Sequence, residues 1–301
     1  MKFVYKCLLQ RLFSNIPRGE ILNFFFQNYI TRGLPLSDDF FLDKVQSAYN
    51  HYLKFENYNS LDENSHKYYE FGAGWDLISP ITMGLLGFEV TCIDIRKLIF
   101  KQLISDTISK FNTNIARIPF SVHQLELQHS QNQLDYLKDK LGFHYFAPLD
   151  ARNTKFNSDY FDFATSTATF EHIPEQDICL ILNETYKILK QGGILSLIID
   201  YRDHWAFFDK SISVYNFLKY SDKTWEKYNP SLHYQNRLRH KDFLNIISKT
   251  HFEIVEEVTE MPSAMDIKML ENMDINDKYK AYSVNELSIK GSQIIMQKSP
   301  K

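Results

Sequence analysis

"KYYEFGAGWDLISP", residues 67–80, decides the fold. An apolar run with one acid, Glu70, reaches Gly72 and Gly74, and helix-forming residues follow. This is the order strand, tight loop, helix. Residues without Cβ admit positive φ and let backbone N–H groups approach a ligand closely. The helix expected over Asp76–Leu86 presents its amino end to the same spot, where anionic groups are favoured. The next apolar run, "FEVTCIDI", ends in Asp94, twenty residues beyond Gly74. An acid at that place suits the two hydroxyls of a ribose. Strand, glycine loop, helix, strand and terminal acid together indicate a nucleoside-containing cofactor. The simpler alternative, a tight turn plus a solvated loop acid, explains fewer of these features.

Strands and helices keep alternating downstream. Helix is expected over 97–110, and a polar helical stretch over 119–141 leads into "FHYFAPLD" at 143–150. Then come a strand at "FDFATST", a helix at "PEQDICLILNETYKILK", a strand at "GILSLIIDY", a helix over 239–250, "FEIVEEVTE", and a last strand in "ELSIKGSQIIMQK". Such alternation makes a mostly parallel sheet with helices on both faces, whose ligands bind at the carboxyl ends of the strands. Residues 1–65 show no strand alternation. Leu8, Leu9, Leu12 and Phe13 repeat at helical spacing, "TRGLPL" is a turn, and Ser37 can cap a helix begun by two acids. This part is expected to be a helical N-terminal extension of a domain spanning 66–301. The aromatic stripe in "ILNFFFQNYIT" is assigned to packing.

The residues now quoted resemble a family. A dinucleotide fold needs a third small residue three positions after the second glycine, and Leu77 stands there. Glu70, Gly72 and Gly74 instead resemble the first motif of class I S-adenosylmethionine-dependent methyltransferases, E/D-x-G-x-G-x-G, with Asp76 at the third glycine. "FEHI" at 170–173 and "ILKQGGILSLIID" at 188–200 are similar to later segments of that family, with Gln191 where proline is usual. The resemblance covers residues 66–200. It implies a Rossmann-like, doubly wound α/β fold with a mostly parallel seven-stranded sheet, and S-adenosyl-L-methionine as cofactor, leaving as S-adenosyl-L-homocysteine. The cofactor set it implies is Glu70, Gly72, Ala73, Gly74, Asp94, Ile95, Asp150, Ala151 and Thr167, with Asp94 on the ribose and Asp150 at the adenine. Motif context also places His172 at the site, although Glu171 and His172 serve equally as loop-bonding residues at a helix start. Gly192 and Gly193 read as the turn into the fifth strand.

Methyl transfer is an in-line displacement, so the protein mainly aligns donor and acceptor and excludes water. Acceptor-side candidates follow the fifth strand: Asp200, Tyr201, Arg202, Asp203 and His204. His204 is a candidate base, because an imidazole titrates near neutrality, with Asp203 to orient it or hold a metal. Tyr201, Arg202, Tyr234 and Arg237 are the substrate-binding candidates. Residues 204–238, rich in aromatics, form either a lid or an ordinary helical hairpin. Arg237 and Arg239 suit an anionic substrate or surface acids. The expected acceptor is a small-molecule or glycan-like oxygen or nitrogen nucleophile. No metal-ligand cluster stands out in the sequence, so no metal ligands are assigned and metal dependence stays open.

The bulk numbers fit. The chain has 301 residues, 44% hydrophobic, enough for a sizeable core. A net charge of −3 without a basic stripe argues against nucleic acid as the partner. The three cysteines, Cys7, Cys92 and Cys179, are far apart and form no CxxC pair, which fits a reducing compartment. No signal peptide or membrane span is expected, so a cytoplasmic setting is. Monomer and homodimer fit the sequence equally. Two other classes compete: a nicotinamide-dependent Rossmann oxidoreductase, disfavoured by Leu77, and a catalytically silent scaffold, disfavoured by the intact Gly72, Gly74 and Asp94.

Overall fold

The computed structural model describes residues 2–16, 19, 21–22, 33–61, 66–122, 124–125 and 133–299. Most of "ILNFFFQNYIT" and part of the 119–141 stretch lie outside them. Helices α1 (Phe3–Ser14) and α2 (Asp38–Tyr58) precede the sheet. The alternating part then runs β1 (Lys67–Phe71), α3 (Ile78–Leu85), β2 (Glu89–Ile93), α4 (Lys101–Thr113), α5 (Gln133–Leu141), β3 (His144–Phe146), β4 (Phe161–Thr167), α6 (Glu175–Ile188), β5 (Leu189–Asp200), α7 (His240–Ile247), β6 (Glu253–Thr259), α8 (Ala264–Glu271), α9 (Val284–Ser288) and β7 (Gly291–Gln297).

One seven-stranded sheet has the order β3-β2-β1-β4-β5-β7-β6. β1 through β5 pair in parallel, and β7 runs antiparallel to both its neighbours. β1 and β4 are buried almost end to end, as strands covered on both faces must be. One face carries α2, α3, α4 and α5, packed through Phe41, Val45, Phe55, Ile81, Ile108 and Leu137. The other carries α6 and α7 through Ile178, Leu182, Phe243 and Ile247. α2 forms where the sequence placed it: the Ser37 hydroxyl accepts from Phe40 N–H, Asp38 and Asp39 fill the first turn, and Phe41, Val45, Ala48 and Phe55 make its buried stripe. β6 lies at the sheet edge, where Glu253, Glu256 and Glu257 discourage further pairing.

Several elements differ from the sequence reading, among them the helix expected over 97–110, which runs Lys101–Thr113. The first crossover helix begins at Ile78 rather than Asp76, because Leu77 takes a left-handed backbone (φ 57°). Residues 284–288 are helix, not strand, since Ser283 and Glu286 form a capping box. Gly192 and Gly193 make no separate turn. α6 runs straight into β5, and the register with β4 jumps from Phe161↔Leu189 to Phe163↔Ile194.

β1 and β4 are neighbours from which the chain winds in opposite directions, so their loops diverge at the topological switch point. Above this edge sits a second apolar cluster. Residues 204–238 form a run of short helical turns rather than a hairpin. Trp205, Tyr215, Phe217 and Trp225 pack there with Phe3 and Cys7 of α1 and with Leu270 and Leu287. α1 is fastened to this cap by Phe3 N–H donating to Asp209 (2.8 Å) and Arg11 donating to the Glu226 carbonyl (2.6 Å). Arg239, fully buried, donates to the carbonyls of Tyr201, Leu287 and Ile289 and so locks the cap to the sheet.

Candidate active site

The loop after β1 carries two consecutive demands for glycine-like backbone. Gly72 has φ 75° and Gly74 φ 77°. A Cβ on Gly72 would stand 2.6 Å from the Thr169 side chain, in the loop after β4, so the two switch-point loops touch there. A Cβ on Gly74 would meet nothing within 4 Å, because that residue faces open space. Ala73 is buried between them. Leu77 points into the core instead of the loop. Trp75 stacks on Phe100, with ring centroids 5.7 Å apart.

Acids line the floor. Glu70 is buried and accepts from the Tyr68 hydroxyl (2.7 Å), which also bonds Thr165. Asp94 is 5% exposed and accepts from Tyr145 (3.3 Å). Burial pushes Glu70 up to about 8, against the Tyr68 hydrogen bond, with Asp94 and Asp76 adding to the rise and Lys44 opposing it. Burial likewise raises Asp94 to about 7, opposed by Tyr145 and the Gly74 N–H. Both carboxyls hold protons in the folded chain that they would lose when unfolded. Stability from this pair is therefore greatest at low pH and falls as pH rises through about 7 to 8. The melting temperature is expected to drop by on the order of a few degrees between pH 6 and pH 9, and Glu70→Gln should flatten the slope. A scan showing no slope over that range would contradict the buried, protonated pair.

Ile95 follows Asp94 and is 63% exposed, an apolar surface beside that acid. Asp150 is gripped by Arg152 at 2.6–3.0 Å, and Arg152 also reaches Asp177. Ala151 packs half-buried on the core. Thr167 ends β4 and bonds His51 of α2 (3.0 Å), whose other ring nitrogen meets Ser196 (2.7 Å).

The acceptor-side candidates separate. Asp203 does not accompany His204. It is fully buried, accepts from Trp205 N–H (2.9 Å) and Asn216 (3.1 Å), and caps the following turn. Tyr201 turns into the core and bonds Ser292 and His240. Arg237 is buried and donates to the carbonyls of Phe217 (3.0 Å) and Tyr220 (2.6 Å) and to Asp222, so it braces the cap from within. Arg202 folds back on Asp200 (2.8 Å). The acid beside His204 is Asp200, with Oδ2 3.5 Å from His204 Nε2. Burial disfavours the Asp200 charge, but His204 and Arg202 outweigh it and hold the carboxyl below its ordinary range.

His172, His204 and Tyr234 do come together. With Trp75, Ser231, Leu232 and His233 they line a cleft of about 290 Å³. The cap is clasped to the turn after β4: Asn236 donates to the carbonyls of Glu171, Phe170 and Ile173 (each 2.8 Å), and His172 Nδ1 meets the Tyr234 carbonyl (2.6 Å). The His172 and His204 rings sit 4.9 Å apart. Burial, aided by the neighbouring His204, depresses His172 to about 4, and burial depresses His233 to about 3. Glu171, from the same turn, lies beside His172 and His204. The "FEHI" adjacency was the one sequence signal for it. Trp75 and His233 carried no signal as site residues.

A doubly wound seven-stranded sheet of this order, with only the seventh strand reversed and a glycine loop after the first, defines the Rossmann-like class I methyltransferase architecture. Residues 117–197, from the segment after α4 to within β5, match the family described as a methyltransferase domain. This stretch is similar to a methyltransferase domain, and the sheet around it has the order of the Rossmann-like fold. No curated protein sequence matches significantly. Solved structures with a similar arrangement include a SAM-dependent methyltransferase of Methanosarcina mazei (19% identity, 82% of this chain and 98% of that one, TM-score 0.44). Another is the geranyl diphosphate C-methyltransferase of Streptomyces coelicolor (11%, 88% and 86%, 0.46). A third is phosphoethanolamine N-methyltransferase 2 of Haemonchus contortus (12%, 92% and 59%, 0.47). Among the described residues no helix is long and apolar enough to cross a membrane.

Proposed function

We propose that this protein transfers a methyl group from S-adenosylmethionine to an oxygen or nitrogen of a small acceptor bound in the cleft of His172, His204 and His233. The observation that carries the reading is that Trp75, from the glycine loop, and these histidines border one cleft. Donor loop and acceptor side chains then face each other at the switch point, where such folds work.

The residues fit the donor. Gly74 leaves open space beside a positive-φ backbone, and Asp94 is a buried carboxyl accepting from one tyrosine and one backbone N–H. Gly72, Ala73 and Gly74 would hold the amino-acid part, Asp94 the ribose hydroxyls, and Ile95, Asp150 and Ala151 the adenine. When bound, the donor supplies a methyl group activated on a sulfonium. The chain's own part is to orient and exclude water. The cap of residues 204–238 acts as the lid over the acceptor, residues 66–301 form the methyltransferase domain, and residues 1–65 are its helical extension. Tyr201 and Arg237 support the lid, and Asp203 caps it. His172, His204 and Tyr234 meet the acceptor. The glycan-like acceptor rests on resemblance alone, whereas a small, polar, hydroxyl- or amine-bearing one suits the cleft's size and its imidazole lining.

Isothermal titration with S-adenosylhomocysteine and, separately, NAD tests this. Micromolar binding of the first and none of the second is expected. Tight NAD binding without S-adenosylhomocysteine binding would instead favour a dehydrogenase. Labelled methyl entering a fraction of small molecules from a cell extract would complete the case. Saturable donor binding with no transfer to any fraction would favour a scaffold.

A further inference from the structure

From the geometry of Glu171, His172 and His204 we infer a binding site for one divalent transition-metal cation, of the Zn²⁺ or Mn²⁺ kind, at the acceptor end of the cleft. Ligand atoms of the three residues all lie within 4.8 Å of one another. Tetrahedral bonds of about 2.0–2.1 Å put neighbouring ligands about 3.3 Å apart, so a modest contraction of side chains closes the set. Two imidazoles and a carboxylate suit zinc, manganese or iron better than magnesium or calcium, which prefer oxygen throughout.

Two observations point to a ligand rather than to a structural cluster. Glu171 is 2% exposed, yet neither carboxylate oxygen makes a hydrogen bond. The polar groups that approach it are the backbone N–H groups of Glu171 and Asp200, neither in good hydrogen-bond geometry. The nearest cationic side chain, Arg202, spends its guanidinium on Asp200. Burial favours the neutral, protonated form of such a carboxyl, and a cation arriving beside it would displace that proton and supply the missing partner. His204 Nε2 is likewise buried, and its polar neighbour is Asp200 Oδ2 at a long 3.5 Å.

The support around the ligands also has the required form. His172 meets the Tyr234 carbonyl through Nδ1, so Nδ1 carries the proton and Nε2 keeps its lone pair. A ring nitrogen donating to a carbonyl is how metal-bound imidazoles are commonly oriented. Asp200, 3.5 Å from His204 Nε2, is a further carboxylate within reach. Three protein ligands leave coordination positions open, as catalytic rather than structural sites do. Those positions face the cleft, so the cation would receive an acceptor oxygen, fix its direction and lower the pKa of a hydroxyl. His204 is then a ligand and not a free base. This inference rests on the placement of the acceptor cleft proposed above and deepens it: the acceptor is oxygen-bearing.

The test uses the full chain, stripped with a chelator and dialysed. MnCl₂ titration followed by electron paramagnetic resonance, and ZnCl₂ titration by calorimetry, should show one ion per chain. Glu171→Gln and His204→Ala should each weaken it by roughly 10- to 100-fold. His233→Ala, which changes a cleft residue outside the ligand set, should bind the ion as the parent does. S-adenosylhomocysteine affinity should change less than about threefold in all variants. If Glu171→Gln does not fold, His172→Ala and His204→Ala carry the comparison. A folded parent that binds no ion, or binds it equally in the His172→Ala and His204→Ala variants, overturns the site. S-adenosylhomocysteine binding without metal binding sinks this inference alone, whereas loss of S-adenosylhomocysteine binding in the parent sinks the methyltransferase reading itself.

Discussion

Replacing Asp94 by alanine will raise the dissociation constant for S-adenosylhomocysteine about a hundredfold and leave the chain folded. The expectation rests on what surrounds the carboxyl. Among the described residues its hydrogen-bonding partners at the end of β2 are the Tyr145 hydroxyl and the Gly74 N–H, which leave acceptor capacity for two ribose hydroxyls. Hydrogen bonds to a charged group are worth about 1.5–3 kcal/mol each when a partner is removed, and about 3 kcal/mol corresponds to on the order of a hundredfold in affinity. The fold should survive because burial makes the Asp94 charge a cost to the ligand-free chain, so its removal relieves as much as it loses. The raised pKa adds a second signature. Below about pH 7 the free protein holds Asp94 protonated, and ligand affinity should weaken as pH falls through that value, a trend that Asp94→Ala abolishes. Calorimetry at pH 6 and pH 8 measures both effects. Unchanged affinity in the variant would move the ribose elsewhere.

That the place of Asp94 at the end of β2 could be read from the sequence, and the meeting of Glu171 with His204 could not, has a physical reason. Strand, glycine loop, helix and the next strand are contiguous in the chain, so their register follows from local geometry. Gly72, Gly74 and Asp94 fall where the pattern puts them. The acceptor side is assembled from segments far apart: the turn after β4, the end of β5 and the cap. Which residue after β5 faces the cleft depends on where a strand with a register jump ends, and that jump is invisible in a string of apolar residues. Asp203 looked like the partner of His204 because it is adjacent, yet adjacent residues near a strand end point in different directions. Arg237 and Arg239 looked like anion clamps because arginine usually is exposed. Here they are buried and satisfy backbone carbonyls that an irregular cap cannot pair internally. The aromatic content of 204–238 was equally ambiguous. Its role is plain only once α1 and the 264–288 segment are seen to complete the same cluster.

His204→Ala will lower turnover by roughly a hundred- to a thousandfold and change S-adenosylhomocysteine affinity less than about threefold. The asymmetry follows from position. His204 borders the cleft with His172 and His233, whereas the proposed donor contacts come from β1, β2 and the glycine loop. Removing the imidazole deprives the acceptor of an aligned polar neighbour at the reacting atom, whether it acts directly or through a cation, and such alignment is realised mainly in the transition state. The fold should hold, since the ring's polar contact is the long approach of Nε2 to Asp200 (3.5 Å), which keeps Arg202 as its partner, and the ring otherwise packs against Phe207. Asp203→Ala is the instructive contrast. Asp203 caps the turn and holds Asn216 from full burial, so its loss should lower the melting temperature first, with activity falling only as the lid loosens. Turnover is read as labelled methyl entering the acceptor fraction, donor binding by calorimetry, and folding by thermal melt. Equal loss of turnover and donor affinity in His204→Ala would place His204 on the donor and not the acceptor. A melting loss in His204→Ala as large as in Asp203→Ala would make it part of the scaffold.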